Sequence, residues 1–231
     1  MICGLYHRGS GLGNQLHRYV GTKIIALEKG ERHTMIAPEL FKGKHFLSLE
    51  MEPNDIKYTI EEPSGKVIPE SIEGVIDGEF QDPKYFIHRL DDIRKWLSPP
   101  LPEPPQAPKT REKCVINFRG GEYVGVKDLF LPQEYWDNAI SEMGDMEYEV
   151  HTDDPITARN FFPDFEIISD IKKNWLAVRY AENLILSNSS FAVLPALLSN
   201  AKKIIAPMYW SGYNTGIWPV EKNKYERFTY L

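Results

Sequence analysis

The sequence has little cysteine, because only Cys3 and Cys114 occur among its 231 residues. Both lie in short apolar runs typical of strands, which predicts reduced core residues and excludes a disulfide framework. The six histidines show no pair at the short spacing that zinc sites use. We therefore expect neither covalent cross-links nor a zinc site.

Long apolar runs are also absent, since no stretch is long enough to span a membrane. The first apolar segment, residues 1–6, is too short for the core of a signal peptide. The net charge of −6 argues against a general nucleic-acid binder, although local positive groups can still bind an anion. These features predict a cytoplasmic, soluble protein with no integral membrane segment and no nucleic-acid partner.

Several catalytic and cofactor motifs are missing. The chain has no P-loop, no G-x-S-x-G nucleophile motif and no complete dinucleotide fingerprint. It does have Gly11-Leu12-Gly13-Asn14-Gln15 between a predicted strand at residues 2–6 and a predicted helix that Gly30 ends. Such a turn lets a backbone approach a diphosphate or a sugar closely, and a purely structural turn is an equally good interpretation.

Proline is concentrated in one segment, residues 98–108, which holds six prolines. Such a segment suits neither a helix interior nor a central strand, so it marks a boundary. We predict an N-terminal domain at 1–98, a linker at 99–112 and a C-terminal domain at 113–231. The hydrophobic fraction of 42% is enough for a packed core.

In the N-terminal domain, the helix after Gly11 is expected to bury an apolar face that includes Leu16, Tyr19 and Leu27. Further strands are predicted at residues 33–36 and 74–81. Asp82 then caps a predicted helix that starts at Pro83 and buries Tyr85.

The C-terminal domain alternates short apolar runs with helical patterns. Strands are predicted at residues 114–118, 148–151, 165–168, 184–186 and 203–207, with helices between them. This alternation predicts an α/β fold with a doubly wound parallel sheet, in which ligands bind at the carboxyl ends of the strands.

Polar residues follow three of these strands and could converge on one crevice. Arg119 can grip a diphosphate, or it can satisfy carbonyls or pair with a nearby acid. Asp153 and Asp154 can accept hydrogen bonds from a nucleotide base, or can simply cap a helix. No third oxygen ligand accompanies them, so a metal site is not predicted.

The segment Ser187–Ser190 joins a buried strand to a helix. The N–H groups and the positive dipole of a helix N-terminus suit a phosphate, although an ordinary strand–helix corner has the same composition. Pro195 fits that helix only in or near its first turn.

Several of these segments together resemble the α-1,2-fucosyltransferase family of glycosyltransferases. Gly11-Leu12-Gly13-Asn14-Gln15-Leu16 is similar to its G-x-G-N-Q opening, and Gly78-Glu79-Phe80-Gln81 with Lys84-Tyr85-Phe86 to its G-[YF]-[FW]-Q…K-Y-F stretch. Residues 116–123 resemble its V-H-I-R-R-G-D-Y block, and residues 131–140 and 152–155 resemble later ones. Ser187-Asn188-Ser189-Ser190-Phe191 is the closest match. The matches run in family order over nearly the whole chain.

The resemblance implies a GT-B-like architecture, in which two Rossmann-like doubly wound parallel-sheet halves face a cleft. The N-terminal half, 1–98, is then the acceptor side, and the C-terminal half, 113–231, holds the donor nucleotide. It implies inverting, metal-independent transfer from a nucleotide-sugar donor to a glycan acceptor, with no cofactor. It implies that the catalytic Arg119 neutralises the departing diphosphate. The reaction also needs a general base, for which Glu122 and Asp128 are the catalytic candidates among the residues, with His7 as a weaker one. The implied donor-binding residues are Gly11, Gly13, Asn14, Gln15, Asn117, Asp153, Asp154, Ser187, Asn188, Ser189, Ser190 and Phe191.

The chain departs from the family pattern around the expected donor. Asn117 replaces a histidine, Gly120 replaces a second arginine, and Glu122 replaces an aspartate. GDP-fucose is the default donor, and a UDP- or GDP-linked xylose, rhamnose or similar sugar is an alternative. A non-catalytic module that binds a glycan or a nucleotide is another. A dehydrogenase-like protein is remote because the dinucleotide fingerprint is missing.

Overall fold

The computed structural model describes residues 1–98, 113–213, 218–219 and 225–231. The chain divides into two compact units, Met1–Pro104 and Pro105–Leu231, which we call unit 1 and unit 2. The predicted linker at 99–112 lies outside the described residues.

Unit 1 contains one β-α-β segment and one hairpin. Strands β1 and β2 pair in parallel, with helix α1 between them in the chain, and β3 and β4 form an antiparallel pair. The elements are β1 (Ile2–Leu5), α1 (Leu12–Glu28), β2 (His33–Ile36), β3 (Tyr58–Glu61), β4 (Lys66–Pro69) and α2 (Leu90–Trp96). Short 3-10 turns lie at Pro38–Leu40, Pro83–Tyr85 and Ile87–Arg89.

The prediction of a second doubly wound sheet in this half is not met by the described residues. The predicted strand at 74–81 is reduced to an isolated parallel bridge between Cys3 and Val75. The chain leaves β1 after that bridge, and further along Phe80 adopts a left-handed backbone conformation with φ of 51°. A strand cannot continue through such a residue.

Two helix predictions in unit 1 also need correction. The expected helix from Pro83 is two 3-10 turns followed by α2, because Phe86 has a non-helical φ of −144°. Tyr85 is consequently 42% exposed instead of buried. Leu27, in the last turn of α1, is 48% exposed, while Leu16 and Tyr19 are buried as expected.

Unit 2 is built on a six-stranded sheet in which every pair of neighbours is parallel. The elements are β5 (Lys113–Phe118), α3 (Gln133–Met143), β6 (Glu147–Thr152), α4 (Pro155–Phe161), β7 (Glu166–Ile168), α5 (Ile171–Tyr180), β8 (Asn183–Leu186), α6 (Ser190–Leu198), β9 (Lys203–Ala206), β10 (Tyr209–Ser211), β11 (Trp218–Pro219) and β12 (Thr229–Tyr230). The five predicted strands are confirmed, each within one residue. The short strand β12 completes the sheet and was not predicted.

The strand order across the sheet is β7-β6-β5-β8-β9-β12. When only the strands of this sheet are numbered in chain order, this is the order 3-2-1-4-5-6 of doubly wound nucleotide-binding folds. Helices cover both faces of the sheet. On one face, Ile116 and Phe118 of β5 pack in one core with residues of α3 and α4. On the other face, His151 of β6 contacts Asn174 of α5. The sheet is thus compatible with a Rossmann-like fold, and β5 and β8 flank the point where the strand order reverses.

Two further sequence expectations concern unit 2 and the cysteines. Pro195 is not in the first turn of α6 but in its second, so the predicted position is wrong; the residue lies inside a buried helix. Cys3 and Cys114 are free and buried, as predicted. Burial raises the pKa of the Cys114 thiol to about 12, which suits an unreactive core residue.

No helix within the described ranges is both long and apolar enough to cross a membrane.

The core of unit 1 contains a histidine that is held neutral. His33 is 7% exposed, and its Nε2 lies 2.9 Å from the Thr22 hydroxyl. Because that hydroxyl donates to the Arg18 carbonyl, the ring nitrogen donates to it. Burial, and secondarily the charge of Lys23, lowers the pKa of His33 to about 3.

This histidine makes stability depend on pH. The unfolded chain takes up the proton near pH 6.5 and the folded chain only near pH 3, so acid favours the unfolded state. We expect the free energy of unfolding to fall from pH 6.5 to pH 5 by up to about 2 kcal/mol from this residue alone. His33→Asn, which keeps a donor but does not titrate, should flatten this dependence in urea unfolding. The exposed His45→Asn serves as the control, and equal slopes in all three proteins would contradict the assignment.

Candidate functional site

The ends of the two strands that flank the reversal point are joined directly. The Ser187 amide donates to the Asn117 carbonyl at 3.0 Å, and the Ser187 hydroxyl donates to the Asn117 side-chain oxygen at 3.1 Å. Both residues are buried. The structure therefore brings two of the predicted donor-binding residues into contact at the carboxyl edge of β5 and β8.

The corner between β8 and α6 is anchored from within. Asn188 is 2% exposed, and its amide nitrogen donates to the carbonyls of Leu129 and Trp210, at 2.8 and 2.6 Å. Ser189 is the N-cap of α6, but its side chain makes no capping hydrogen bond. Ser190 and Phe191, both half-buried, form the first turn of α6. Asn188 thus holds the corner, and the first turn of the helix carries the N–H groups and dipole that suit an anion.

Arg119 lies at the end of β5 with its guanidinium paired to two carboxylates. One terminal nitrogen donates to Asp153 at 2.5 Å and the other to Glu122 at 2.8 Å. The guanidinium also lies over the Tyr123 ring, 5.1 Å from its centroid. The Arg119 side chain is 28% exposed and that of Glu122 76%, so Glu122 is the partner more accessible to solvent.

The two aspartates after β6 accept hydrogen bonds from the backbone amides of the two glycines after Arg119. Asp153 accepts from the Gly120 amide at 3.0 Å and Asp154 from the Gly121 amide at 3.2 Å. A Cβ on Gly120 would stand 2.7 Å from the Asp154 Cβ, and one on Gly121 would stand 2.6 Å from an Asp153 carboxylate oxygen. Only glycines permit this approach, so the pair of glycines and the pair of aspartates form one clamp.

The two aspartates also have separate tasks. Asp154 caps α4, as the alternative interpretation expected, by accepting from the Thr157 amide at 3.0 Å. The Thr157 hydroxyl, followed by that amide, lowers the pKa of Asp154 below its usual value. Asp153 is engaged by Arg119 and Gly120 instead. A contact of either residue with a nucleotide base stays a prediction.

A buried polar network supports the strand that carries this clamp, and sequence reasoning missed it. The two ring nitrogens of His151 lie 3.0 Å from Asn174 Oδ1 and 3.0 Å from a Glu149 carboxylate oxygen. Asn174 donates its amide to the Thr152 carbonyl at 2.9 Å. His151 thus lies between the side-chain oxygens of Asn174 and Glu149 inside the fold.

Glu149 is the acidic member of this network. Burial opposes its ionisation, but hydrogen bonds from His151 and Lys113 bring the pKa of the carboxyl below its usual value. The signal in the sequence was the alternation of Glu149 and His151 within a buried strand, on the face opposite the apolar Val150. The network fixes the Thr152 carbonyl next to Asp153 and so positions the clamp.

Asp128 is exposed, and its backbone carbonyl holds two residues of unit 2. Its carbonyl accepts from the Gly212 amide at 2.6 Å and from the Ser211 hydroxyl at 3.3 Å. The roles of Asp128 and Glu122 as general base stay predictions.

The four remaining candidates lie in unit 1, at the start of α1. Gln15 is 1% exposed and is committed to structure: it donates to the Leu40 carbonyl at 2.8 Å and accepts from the Lys42 amide at 2.9 Å. Gly13 is buried, and Gly11 is the exposed N-cap of α1. Asn14 is half-buried and accepts from Gln81 at 3.3 Å.

Comparison with known proteins assigns no family to the chain. No family model matches it, and no curated protein matches it. Across the described residues, no group of three or more histidine, cysteine, aspartate or glutamate side chains is arranged to hold a metal ion.

The clamp makes a specific prediction about stability. Gly120→Ala should lower the free energy of unfolding by about 1–3 kcal/mol, because the new methyl group must displace Asp154. Gly125→Ala in the same loop is the matched control, since a Cβ there meets its nearest neighbour at 4.0 Å. Chemical denaturation of both variants measures the difference. Equal stability of the two would show that Asp154 does not hold Gly120 in solution.

Proposed function

We propose that the chain is a nucleotide-sugar-dependent glycosyltransferase whose donor diphosphate binds unit 2 where the strand order reverses. One observation carries the proposal: Arg119 follows the first strand of the doubly wound sheet, and the N-terminus of α6 follows the fourth. Ligands of such sheets bind at the carboxyl ends of the strands at this point. A guanidinium beside a helix N-terminus suits a diphosphate, which carries two phosphoryl groups.

The chemistry of the proposal is inverting transfer. The acceptor hydroxyl attacks the anomeric carbon, the bond from that carbon to the diphosphate oxygen breaks, and the hydroxyl proton passes to a base, for which Glu122 and Asp128 are the candidates. Arg119 and the first turn of α6 stabilise the charge that develops on the diphosphate. Each well-oriented donor of this kind is typically worth a few kcal/mol.

The donor must compete for Arg119. Asp153 also accepts from the Gly120 amide and is part of the clamp, whereas Glu122 is exposed and pairs with Arg119 at the surface. We therefore propose that the diphosphate displaces Glu122 and leaves Asp153 in place. Asp153 then positions the guanidinium for the donor.

GDP-fucose remains the default donor, and another UDP- or GDP-linked sugar is the alternative. Two residues that depart from the family pattern make specific contacts in this structure. Asn117 accepts a hydrogen bond from Ser187, and Gly120 lies so close to Asp154 that a larger side chain has no room there. The second candidate function is a non-catalytic glycan- or nucleotide-binding module. The pairing of Arg119 with two carboxylates favours this second function, because the carboxylates neutralise the positive charge of the guanidinium at the proposed donor site.

Nucleotide binding tests the proposal first. A thermal-shift panel with GDP, UDP, dTDP and ADP at millimolar concentration, with and without EDTA, should show a rise in melting temperature that survives EDTA, with GDP as the expected ligand. Arg119→Ala should lower the affinity for that ligand by about tenfold or more, since a charge-assisted pair is lost. Lys203→Ala removes a positive charge at the opposite end of β9 and should leave the shift unchanged. No shift with any nucleotide would refute the donor site.

Competition for Arg119 gives a second prediction. Glu122→Gln should bind the identified nucleoside diphosphate a few-fold more tightly by titration calorimetry, because an exposed ion pair worth up to about 1 kcal/mol no longer opposes binding. Glu134→Gln, in the first turn of α3, removes an exposed carboxylate elsewhere in the unit and should leave the affinity unchanged. Weaker binding by Glu122→Gln would reject the displacement. If turnover also falls by a hundredfold or so while affinity improves, Glu122 additionally acts as the general base.

A further inference from the structure

A third neighbour of Arg119 is an aromatic ring. The central carbon of the guanidinium lies over the ring of Tyr123, 5.1 Å from its centroid. A guanidinium within about 6 Å of a ring centroid is attracted by the negative face of the ring. Asp153 and Glu122 each accept from one terminal nitrogen of the same guanidinium. Arg119 is therefore held by two carboxylates and by an aromatic ring.

The clamp that binds Arg119 also places this ring. The Tyr123 amide donates to the Gly120 carbonyl at 2.9 Å, in the short 3-10 turn Gly121–Tyr123. The Gly120 amide is in turn held by Asp153. Asp153 thus binds Arg119 directly and, through Gly120, fixes the start of the turn that carries the ring.

Tyr123 is directed inward in a loop whose neighbouring side chains are exposed. It is half-buried, whereas the flanking residues Glu122 and Val124 are exposed. Partial withdrawal from water strengthens the attraction between the guanidinium and the ring, because water then screens it less. The contact is consequently of the stronger kind that aromatic rings make with cations.

The phenol of Tyr123 stays neutral. Burial, opposed by the charge of Arg119, raises the pKa of this phenol above its usual value. Tyr123 therefore offers the guanidinium a ring face and no negative charge, so it does not compete with a diphosphate. The same property makes the phenol unsuited to act as the general base near neutral pH.

The three contacts of Arg119 respond differently to an incoming diphosphate. Glu122 is exposed and is the partner that the donor displaces in the proposed function. Asp153 then holds one terminal nitrogen, and a guanidinium held at one nitrogen can still swing about that point. A second contact is needed to fix its orientation. Tyr123 supplies this contact, because an anion does not displace a neutral ring.

We infer that Tyr123 is a positioning residue for the proposed transfer, and that its ring keeps the Arg119 guanidinium directed at the donor diphosphate once Glu122 has been displaced. This role rests on the proposed function, since it requires a diphosphate bound at Arg119. The contact between the ring and the guanidinium does not depend on that function.

Solution NMR of the full chain tests the contact. A proton that lies over an aromatic ring is shielded by it, so the Arg119 Nε proton should resonate upfield of its usual position. Arg119→Lys removes the signal and so assigns it. Tyr123→Phe should keep the upfield shift and Tyr123→Leu should abolish it. The same resonance position in the wild type and in Tyr123→Leu would overturn the inference.

Nucleotide affinity tests the role. Titration calorimetry uses the nucleoside diphosphate that stabilises the wild type in the thermal-shift panel, with GDP expected. Tyr123→Leu should lower its affinity by about threefold to tenfold, as for the loss of a partly buried cation–π contact. Tyr123→Phe should bind as the wild type does, because it keeps the ring. Equal losses in the two variants would show that the hydroxyl matters instead, and would overturn the inference.

Two further variants control this measurement. Val124→Ala changes an exposed side chain next to Tyr123 and should leave the affinity unchanged. Tyr123→Met also lacks a ring and repeats the test if thermal unfolding shows that Tyr123→Leu is not folded. Full wild-type affinity in the folded variant without a ring would overturn the inference.

A double variant shows whether Tyr123 acts through Arg119. In an Arg119→Ala background, Tyr123→Leu should cause no further loss of affinity, because no guanidinium remains for the ring to hold. A loop that had merely lost its packing would bind more weakly by the same factor in both backgrounds. That result would overturn the inference.

The wild type and the variants report on different proposals. A wild-type chain without a nucleotide shift would refute the donor site and, with it, the role of Tyr123. A wild-type shift that is fully retained without the ring would leave the donor site standing and overturn this inference alone.

Discussion

The pairing of β5 with neighbours on both sides is the constraint on which unit 2 depends. β5 pairs in parallel with β6 over its whole length and with β8 on its other edge. Because all strands run the same way, Arg119, Asp153 and Ser187 emerge at one edge of the sheet. The strand order reverses between β5 and β8, so the connections there diverge to opposite faces and leave a crevice. The clamp, the corner before α6 and the proposed donor site all follow from this arrangement.

Each unit holds an arginine between two carboxylates. In unit 2, Arg119 is held by one carboxylate that belongs to the clamp and one that is exposed, so the guanidinium is both positioned and exchangeable. In unit 1, Arg18 is buried beneath two carboxylates, those of Asp77 and Glu79. Each arginine has two acidic partners, and the two arginines differ in burial, since the side chain of Arg119 is 28% exposed and that of Arg18 is 7% exposed.

Predictability differed between the units for a physical reason. Strands β5, β8 and β9 are buried along nearly their whole length and contain short apolar runs, and the ends of all five predicted strands were found within a residue. In unit 1 the segment from Val75 to Gln81 has the composition of a strand. However, Phe80 has a left-handed backbone conformation and Glu79 accepts from Arg18, and the segment does not continue along β1. At the site, the residue types were predictable from their position after strands, and their partners were not. For Asp153 and Asp154 we predicted a base contact or a helix cap: Asp154 caps α4, both residues accept from the loop after Arg119, and the base contact stays a prediction.

The sequence by itself determined the alternation of strands and helices in unit 2, the reduced state of the cysteines, and the presence of polar residues after three strands. These are local properties, set by residue periodicity, turn residues and composition. Only the tertiary structure decided which strands are neighbours, that the two glycines after Arg119 receive the two aspartates after β6, and that His151 lies between Asn174 and Glu149. It also joined Arg18 to Asp77 and Glu79, which lie 59 and 61 positions further along the chain. Contacts of this kind join residues tens of positions apart, and no local pattern specifies which of many compatible partners will meet.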